Sequence, residues 1–295
     1  MKYIIPKYSG FCSGVSIAVR SAYRNIGERS YMYGEVVHNP TVIRELESKG
    51  WKLIASVEEI GDPQGAKVLI RAHGVSKAVM DRMEERGLEV IDSTCVNVRK
   101  IHRLVREASE RGLDGIVVGT PHHPEVEGIV GWISTKSVVI HSVEDAESKL
   151  KDADFSGKGV FIVSQTTFHP KKYREIYEYC ASVIPGLEFY DTTCNVTANR
   201  QAEVSRLTKT ADAFIVVGGK TSSNVNNLYK IICESCTNAQ FIETVSELDT
   251  EKIRGAEKLV IVGGASTPES CISDVIGRIG RFCTENGIAF EREEP

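Results

Sequence analysis

Asp92-Ser93-Thr94-Cys95 and Asp191-Thr192-Thr193-Cys194 are near-copies, and their repetition decides how the chain divides. Each follows an apolar or aromatic residue and precedes a long amphipathic run. A strand-like stretch ending in glycine comes next: Gly115-Ile-Val-Val-Gly119 in one copy, Phe214-Ile-Val-Val-Gly218 in the other. The cysteine-to-glycine spacing is 24 residues in both, and His123 and Ser222 each lie 28 residues past their cysteine. A weaker third copy opens the chain, Ser9-Gly10-Phe11-Cys12-Ser13-Gly14. It is followed by a helical run over 15–25, the strand Tyr31-Met-Tyr-Gly34 and the polar loop Val37-His38-Asn39-Pro40. Each module also has a later strand ending in a polar loop, at His73-Gly74, at Ser164-Gln165-Thr166-Thr167 and at Ala265-Ser266. Repetition at this scale takes precedence over local assignments. It makes Cys12, Cys95 and Cys194 members of one site rather than three separate buried thiols.

A chain of 295 residues accommodates three modules of roughly 95 residues. Apolar content of 41%, charged content of 26% and a net charge of -4 describe an ordinary water-soluble protein. That charge argues against a nucleic-acid surface, which needs clustered Lys and Arg. The longest apolar runs are strand-sized, so no membrane span is expected. The opening Met-Lys-Tyr-Ile-Ile-Pro-Lys is too short and too soon broken by Pro6 to read as a secretory signal. A cytoplasmic protein is expected, with its eight cysteines reduced.

Short aliphatic strands alternate with helices along the whole chain. Glycines 50, 87 and 112 close helices expected over 41–49, 77–86 and 98–111, and Ser76 is placed to cap the second. Further helices are expected over 170–184, 199–208, 228–234 and 268–284, with a polar loop over 218–227. The pattern predicts an α/β fold with modules at 1–94, 95–193 and 194–295, the last including a short C-terminal tail. Three pseudo-threefold-related modules with small, mostly parallel sheets would surround a central cavity. Ligands of such sheets bind beyond the carboxyl ends of the strands, where all the polar loops fall.

A thiolate at a helix start is favoured by free backbone N–H groups and the helix dipole. Three of them suit a soft metal. Zinc with an open position and a four-iron cubane with one iron lacking a protein ligand both fit, and the residues alone do not choose. Cys180 and Cys283 read as buried thiols of amphipathic helices. Cys233-Glu-Ser-Cys236, which Cys271 could join, has redox or zinc spacing, but occurs in one module only and is a weak signal. His38, His73 and His123 each follow a strand. With Ser222, Ser223, Asn224, Ser266 and glycine-rich backbone, they suit a diphosphate. Gly218-Gly-Lys-Thr221 is not a nucleotide loop, because Phe214 stands where the first glycine is required. Glu125 is the acid most clearly placed to deliver protons. Thr166, with Gln165 and Thr167, is placed to orient a substrate hydroxyl or pass that proton. No role emerges for His122.

At these residues the chain resembles the LytB family of 4-hydroxy-3-methylbut-2-enyl diphosphate reductases of the non-mevalonate isoprenoid pathway. The resemblance rests on Gly10-Phe-Cys-Ser-Gly-Val15, Val37-His-Asn39, Ala72-His-Gly-Val75, Thr94-Cys95, His123-Pro-Glu-Val-Glu-Gly128 and Ser164-Gln-Thr-Thr167. It continues through Thr193-Cys194, Asn199-Arg-Gln201, Ser222-Ser-Asn224 and Ala265-Ser266, covering essentially the whole chain. It implies a [4Fe–4S] cluster on Cys12, Cys95 and Cys194 whose fourth, open iron takes the substrate hydroxyl. His38, His73, His123, Ser222, Ser223, Asn224 and Ser266 match the diphosphate-binding set. Glu125 matches the proton-relay carboxylate and Thr166 its partner, with His123 beside them in the catalytic group. The implied reaction removes the C4 hydroxyl with two electrons from ferredoxin or flavodoxin and two protons, giving isopentenyl and dimethylallyl diphosphate. A monomer is expected. Ser13, Ser16-Ile17 and Val96-Asn97 depart from the family pattern beside the cysteines, where they could tune the pocket. Two rival classes are a zinc-dependent hydrolase of a phosphorylated metabolite and a non-catalytic iron–sulfur sensor.

Overall fold

The computed structural model describes residues 1–155 and 157–295; Ser156, in the polar connection expected over 152–159, lies outside the described residues. The chain opens with β1 (Lys2–Ile4), α1 (Ser13–Arg24), β2 (Ser30–Tyr33), α2 (Pro40–Ser48) and β3 (Lys52–Ile54). Next come β4 (Lys67–Ile70), α3 (Lys77–Glu85), β5 (Glu89–Asp92), α4 (Val96–Glu110), β6 (Asp114–Val118), α5 (Pro124–Val130) and β7 (Ser137–Ile140). The middle of the chain continues with α6 (Val143–Lys151), β8 (Val160–Ser164), α7 (Pro170–Val183), β9 (Glu188–Phe189) and α8 (Asn195–Leu207). The last part holds β10 (Ala213–Val217), α9 (Ser223–Cys233), β11 (Ala239–Ile242), β12 (Lys258–Gly263), α10 (Glu269–Glu285) and β13 (Glu291–Arg292).

These strands build three separate, wholly parallel sheets flanked by helices, ordered β3-β2-β4-β5, β7-β6-β8-β9 and β11-β10-β12-β1-β13. The first two belong to a compact unit of residues 17–36 and 46–194; the third belongs to a unit of residues 1–16, 37–45 and 195–295. The strand order explains the sequence repeat. In every sheet the fourth position is taken by the strand that leads directly to a repeat cysteine: β5 to Cys95, β9 to Cys194, and β1 to Cys12. The chain start thus completes the sheet of its last hundred residues.

Each sheet buries both faces, which is why its strands read as continuous apolar runs. Within β6 and β8, Ile116, Val118 and Ile162 face α7 residues Tyr173 and Ile176, whereas Val117, Phe161 and Val163 face Ile101 and Val105 of α4. This is the period-two alternation of a strand. Each such fully buried aliphatic side chain is worth about 1.5–3 kcal/mol.

Helix α3 starts at the expected cap, with Ser76 Oγ accepting the Val79 N–H at 3.4 Å. Several boundaries differ from expectation. Strands β1 and β13 were not anticipated, because three residues before a proline and a charged dipeptide carry no strand signal; register with β12 and β1 creates them. The strand expected over 31–34 runs from Ser30 to Tyr33. Helices α4 and α8 begin directly after their cysteines, and α9 begins at Ser223, inside the polar loop expected over 218–227. Neither Cys95 nor Ser222 makes a side-chain cap bond, so these two helix starts carry no capping signal that sequence could register. Among the described residues, no helix is long and apolar enough to cross a membrane.

Candidate active site

The repeated tetrapeptide folds into the same turn twice. Asp92 Oδ1 accepts the Thr94 N–H at 2.9 Å, and Asp191 Oδ1 accepts the Thr193 N–H at 3.2 Å and its hydroxyl at 2.7 Å. An aspartate closing a turn on the residue two positions on is what selects Asp at the head of each copy. The next residue, the cysteine, donates its own N–H to the loop beyond the neighbouring strand. Cys95 reaches Ala72 O at 3.0 Å, Cys194 reaches Thr166 O at 2.9 Å, and Cys12 reaches Ala265 O at 3.2 Å. All three acceptors lie two residues past the ends of β4, β8 and β12, so the three cysteines are structural equivalents. Each thiol is partly buried at a helix start. Cys12 Sγ accepts the Val15 N–H at 3.5 Å, and Cys194 Sγ accepts Asn97 Nδ2 at 3.3 Å.

The cofactor expectation is corrected at this point. Among the described residues, no cysteine belongs to a group of side chains able to hold a metal ion. Each of the three equivalent cysteines has its backbone N–H committed to a neighbouring loop at the start of its own helix. The ligand set anticipated for a [4Fe–4S] cluster on Cys12, Cys95 and Cys194 is therefore not one the fold assembles. Of the other thiols, Cys180 and Cys283 are buried, and burial pushes Cys180 up to about 11. Cys236 is also buried, its Sγ 3.6 Å from Asp212 O, while Cys233 is exposed.

In the unit containing β6 and β8, the loop after β6 makes a turn in which the His123 N–H reaches Thr120 O at 3.1 Å. His122, inside this turn, has φ 60°, the only left-handed non-glycine among the described residues, and histidine is among the side chains that tolerate that region. Its place is to turn the chain from β6 into α5. His123 then caps α5, its Nδ1 accepting the Glu125 N–H at 3.1 Å, with Pro124 preset for the first helical position. Glu125 is only 1% exposed. Its two oxygens accept from one residue of the loop after β8: Oε1 from the Thr166 N–H at 2.6 Å, and Oε2 from the Thr166 hydroxyl at 3.0 Å. Burial pushes the Glu125 carboxyl up to about 7, outweighing these two bonds, which favour the charged form. Gln165 supports the same loops, its Oε1 accepting the Thr120 N–H at 3.1 Å. The His73 ring meets His123 edge-on, with centroids 5.3 Å apart. The loops after β6 and β8 thus hold an acid with a raised pKa beside the His123 imidazole.

In the other unit, Ser222 occupies the N-cap position of α9 without a side-chain cap bond, Ser223 and Asn224 form the first turn, and Ser266 donates its hydroxyl to Ser222 Oγ at 3.3 Å. Asn224 Oδ1 accepts the Ala265 N–H at 2.8 Å and Arg200 Nη1 at 3.2 Å, while its Nδ2 is buried without a partner in the protein. His38 stands close to this group: its Nδ1 is 3.5 Å from Thr221 Oγ1, and its carbonyl comes so near Gly219 that a Cβ there would sit 2.2 Å from it. Arg200, 2% exposed, ties the set to the cysteine loop by donating Nη2 to Gly10 O at 2.8 Å. In the sequence, Arg200 stands out only as part of the stretch Asn199-Arg-Gln201. A buried arginine in a helix looks like any solvated one until its partners are known.

Fold and site together define an α/β enzyme built on three parallel sheets, with a buried carboxyl group on a loop-and-helix start. A sequence model described as LytB protein matches residues 4–280. A 4-hydroxy-3-methylbut-2-enyl diphosphate reductase of Caldanaerobacter subterraneus is 38% identical over 95% of this chain and 96% of its own. One of Aquifex aeolicus is 34% identical over 95% and 96%. Among solved structures, the E-1-hydroxy-2-methyl-but-2-enyl-4-diphosphate reductase of Plasmodium falciparum superposes with a TM-score of 0.88 at 26% identity, over all of this chain and 92% of that one. The (E)-4-hydroxy-3-methyl-but-2-enyl diphosphate reductase described as the terminal enzyme of the non-mevalonate pathway gives 0.67 at 34% identity, over 95% and 100%. The chain belongs to the LytB family and is an oxidoreductase.

Proposed function

We propose that this protein reductively removes the hydroxyl of 4-hydroxy-3-methylbut-2-enyl diphosphate, giving isopentenyl and dimethylallyl diphosphate. The observation that carries the reading is Glu125, a buried carboxyl pushed up to about 7 and held by Thr166. Such an acid is about half protonated at neutral pH and able to donate. In the reaction the allylic C–O bond breaks and two electrons enter the carbon skeleton from a reduced ferredoxin or flavodoxin. One proton leaves with the oxygen as water, and the other goes to an allylic carbon; which end receives it decides the product. Glu125 supplies a proton, and the Thr166 hydroxyl orients the substrate hydroxyl towards it.

His38, Ser222, Ser223, Asn224 and Ser266, all in one unit, receive the diphosphate, and His73 and His123 in the other unit are further candidate phosphate donors. Support comes from their chemistry: the unpartnered Nδ2 of Asn224, the hydroxyls at the start of α9 and the free amides of its first turn are donors suited to phosphate oxygens. Eight cysteines, with no disulfide among the described residues, suit a reducing, cytoplasmic setting. Anaerobic turnover by Glu125→Gln tests the reading: the amide keeps the shape but has no proton to give. Turnover falls by about 10²–10⁴ while substrate affinity is retained. Unimpaired turnover would remove Glu125 as the acid.

A further inference from the structure

On the outer face of α4 the unit containing β6 and β8 has a cavity of about 270 Å³ lined by none of Glu125, Thr166, His73 or His123. One wall is basic. Arg99, Arg103 and Arg106 follow one another at helical spacing, so their guanidiniums share a face. The opposite wall is apolar, formed by Val75, Met80 and Trp132. The indole is fixed in place, donating Nε1–H to Val75 O at 2.8 Å and stacking on His102 with centroids 5.4 Å apart.

Charge at the cavity is unbalanced. Asp92 is its one carboxylate, and Arg99 already occupies it at 3.1 Å. His102 adds no charge near neutrality, since burial pushes it down to about 4. Arg103 and Arg106 have only Glu107 and Glu110 for partners, at 3.8 Å each, on side chains at least 46% exposed. Such loose surface pairs contribute little and yield readily to a better anion. Two guanidiniums are therefore available beside an apolar wall, in a space at the small end of the range for ligand sites. A phosphate monoester carries a charge of about -2 near neutral pH and matches them.

We propose that this cavity is a binding site for a small organic phosphate, one bearing a short apolar group, separate from the candidate active site. The phosphate lies between Arg103 and Arg106, and the apolar group lies against Met80 and Trp132. The proposal does not depend on the reaction assigned above.

Trp132 is one of only two tryptophans and reports on the cavity directly. The experiment is titration of the full-length protein with isopentyl phosphate and with inorganic phosphate, followed by tryptophan emission. Isopentyl phosphate produces a saturable change that is absent in Trp132→Phe, and inorganic phosphate binds about tenfold more weakly for want of the apolar contact. The double variant Arg103→Glu/Arg106→Glu, at exposed positions where folding is not at stake, weakens binding at least about tenfold. The proposal is overturned by emission unchanged to millimolar concentrations, by a change that survives in either variant, or by equal binding of the two phosphates.

Discussion

Thr166 holds both oxygens of Glu125, its backbone N–H on one at 2.6 Å and its hydroxyl on the other at 3.0 Å. The same residue's carbonyl accepts the N–H of Cys194 at 2.9 Å. One loop residue therefore links the proposed acid to the head of α8. Two opposed effects set the carboxyl: burial, which raises its pKa and wins, and the Thr166 bonds, which lower it.

The first prediction follows from removing one of those bonds. Thr166→Val deletes the hydroxyl that favours the carboxylate, so the Glu125 pKa rises further. With Glu125 as the proposed acid, activity should fall as pH rises through its pKa. The alkaline limb of the kcat/KM profile should begin near pH 7 in the parent and move to higher pH in Thr166→Val, while Thr166→Ser leaves it in place. A profile whose level drops without moving would show that the hydroxyl does not act on Glu125.

Stability carries the same sign in a second measurement. The folded carboxyl sits at about 7 against an ordinary 4.5, so folding favours the protonated form. That contribution is fully present below pH 4.5 and is lost as pH rises through 7. Glu125→Gln, which cannot ionise, should melt higher than the parent at pH 8, and the difference should shrink at pH 5. A difference in Tm independent of pH would contradict the burial of an ionisable carboxyl here.

Gly219 tests the proposed diphosphate-binding set without touching its donors. A methyl group at this position meets the His38 carbonyl at 2.2 Å, and backbone has to move to admit it. Gly219→Ala should displace His38, weakening substrate binding by about tenfold, that is about 1.4 kcal/mol. Isothermal titration with substrate checks it; unchanged affinity would remove His38 from the binding set.

Much of this was legible in sequence because repetition amplified it. The Asp-Thr/Ser-Thr-Cys turn is local: an aspartate, a turn and a helix start within four residues. The three parallel sheets follow from short aliphatic strands between helices, and the Ser76 cap from one hydroxyl before a helical run. What could not be read depends on distant partners. β1 exists because β12 lies beside it, some 250 residues on in the chain. Arg200 is buried because Gly10 and Asn224 receive it. The metal-ligand expectation failed for a related reason: equivalence of three cysteines in sequence fixes their local turns, not which side chains converge.

The most direct test of the central claim is product analysis after anaerobic turnover in deuterium oxide, with a chemically reduced ferredoxin or flavodoxin and 4-hydroxy-3-methylbut-2-enyl diphosphate. The account predicts isopentenyl and dimethylallyl diphosphate, each carrying one deuterium from solvent, with formation largely lost in Glu125→Gln. Recovery of the hydroxylated substrate unchanged, or its hydrolysis to inorganic phosphate, would contradict it.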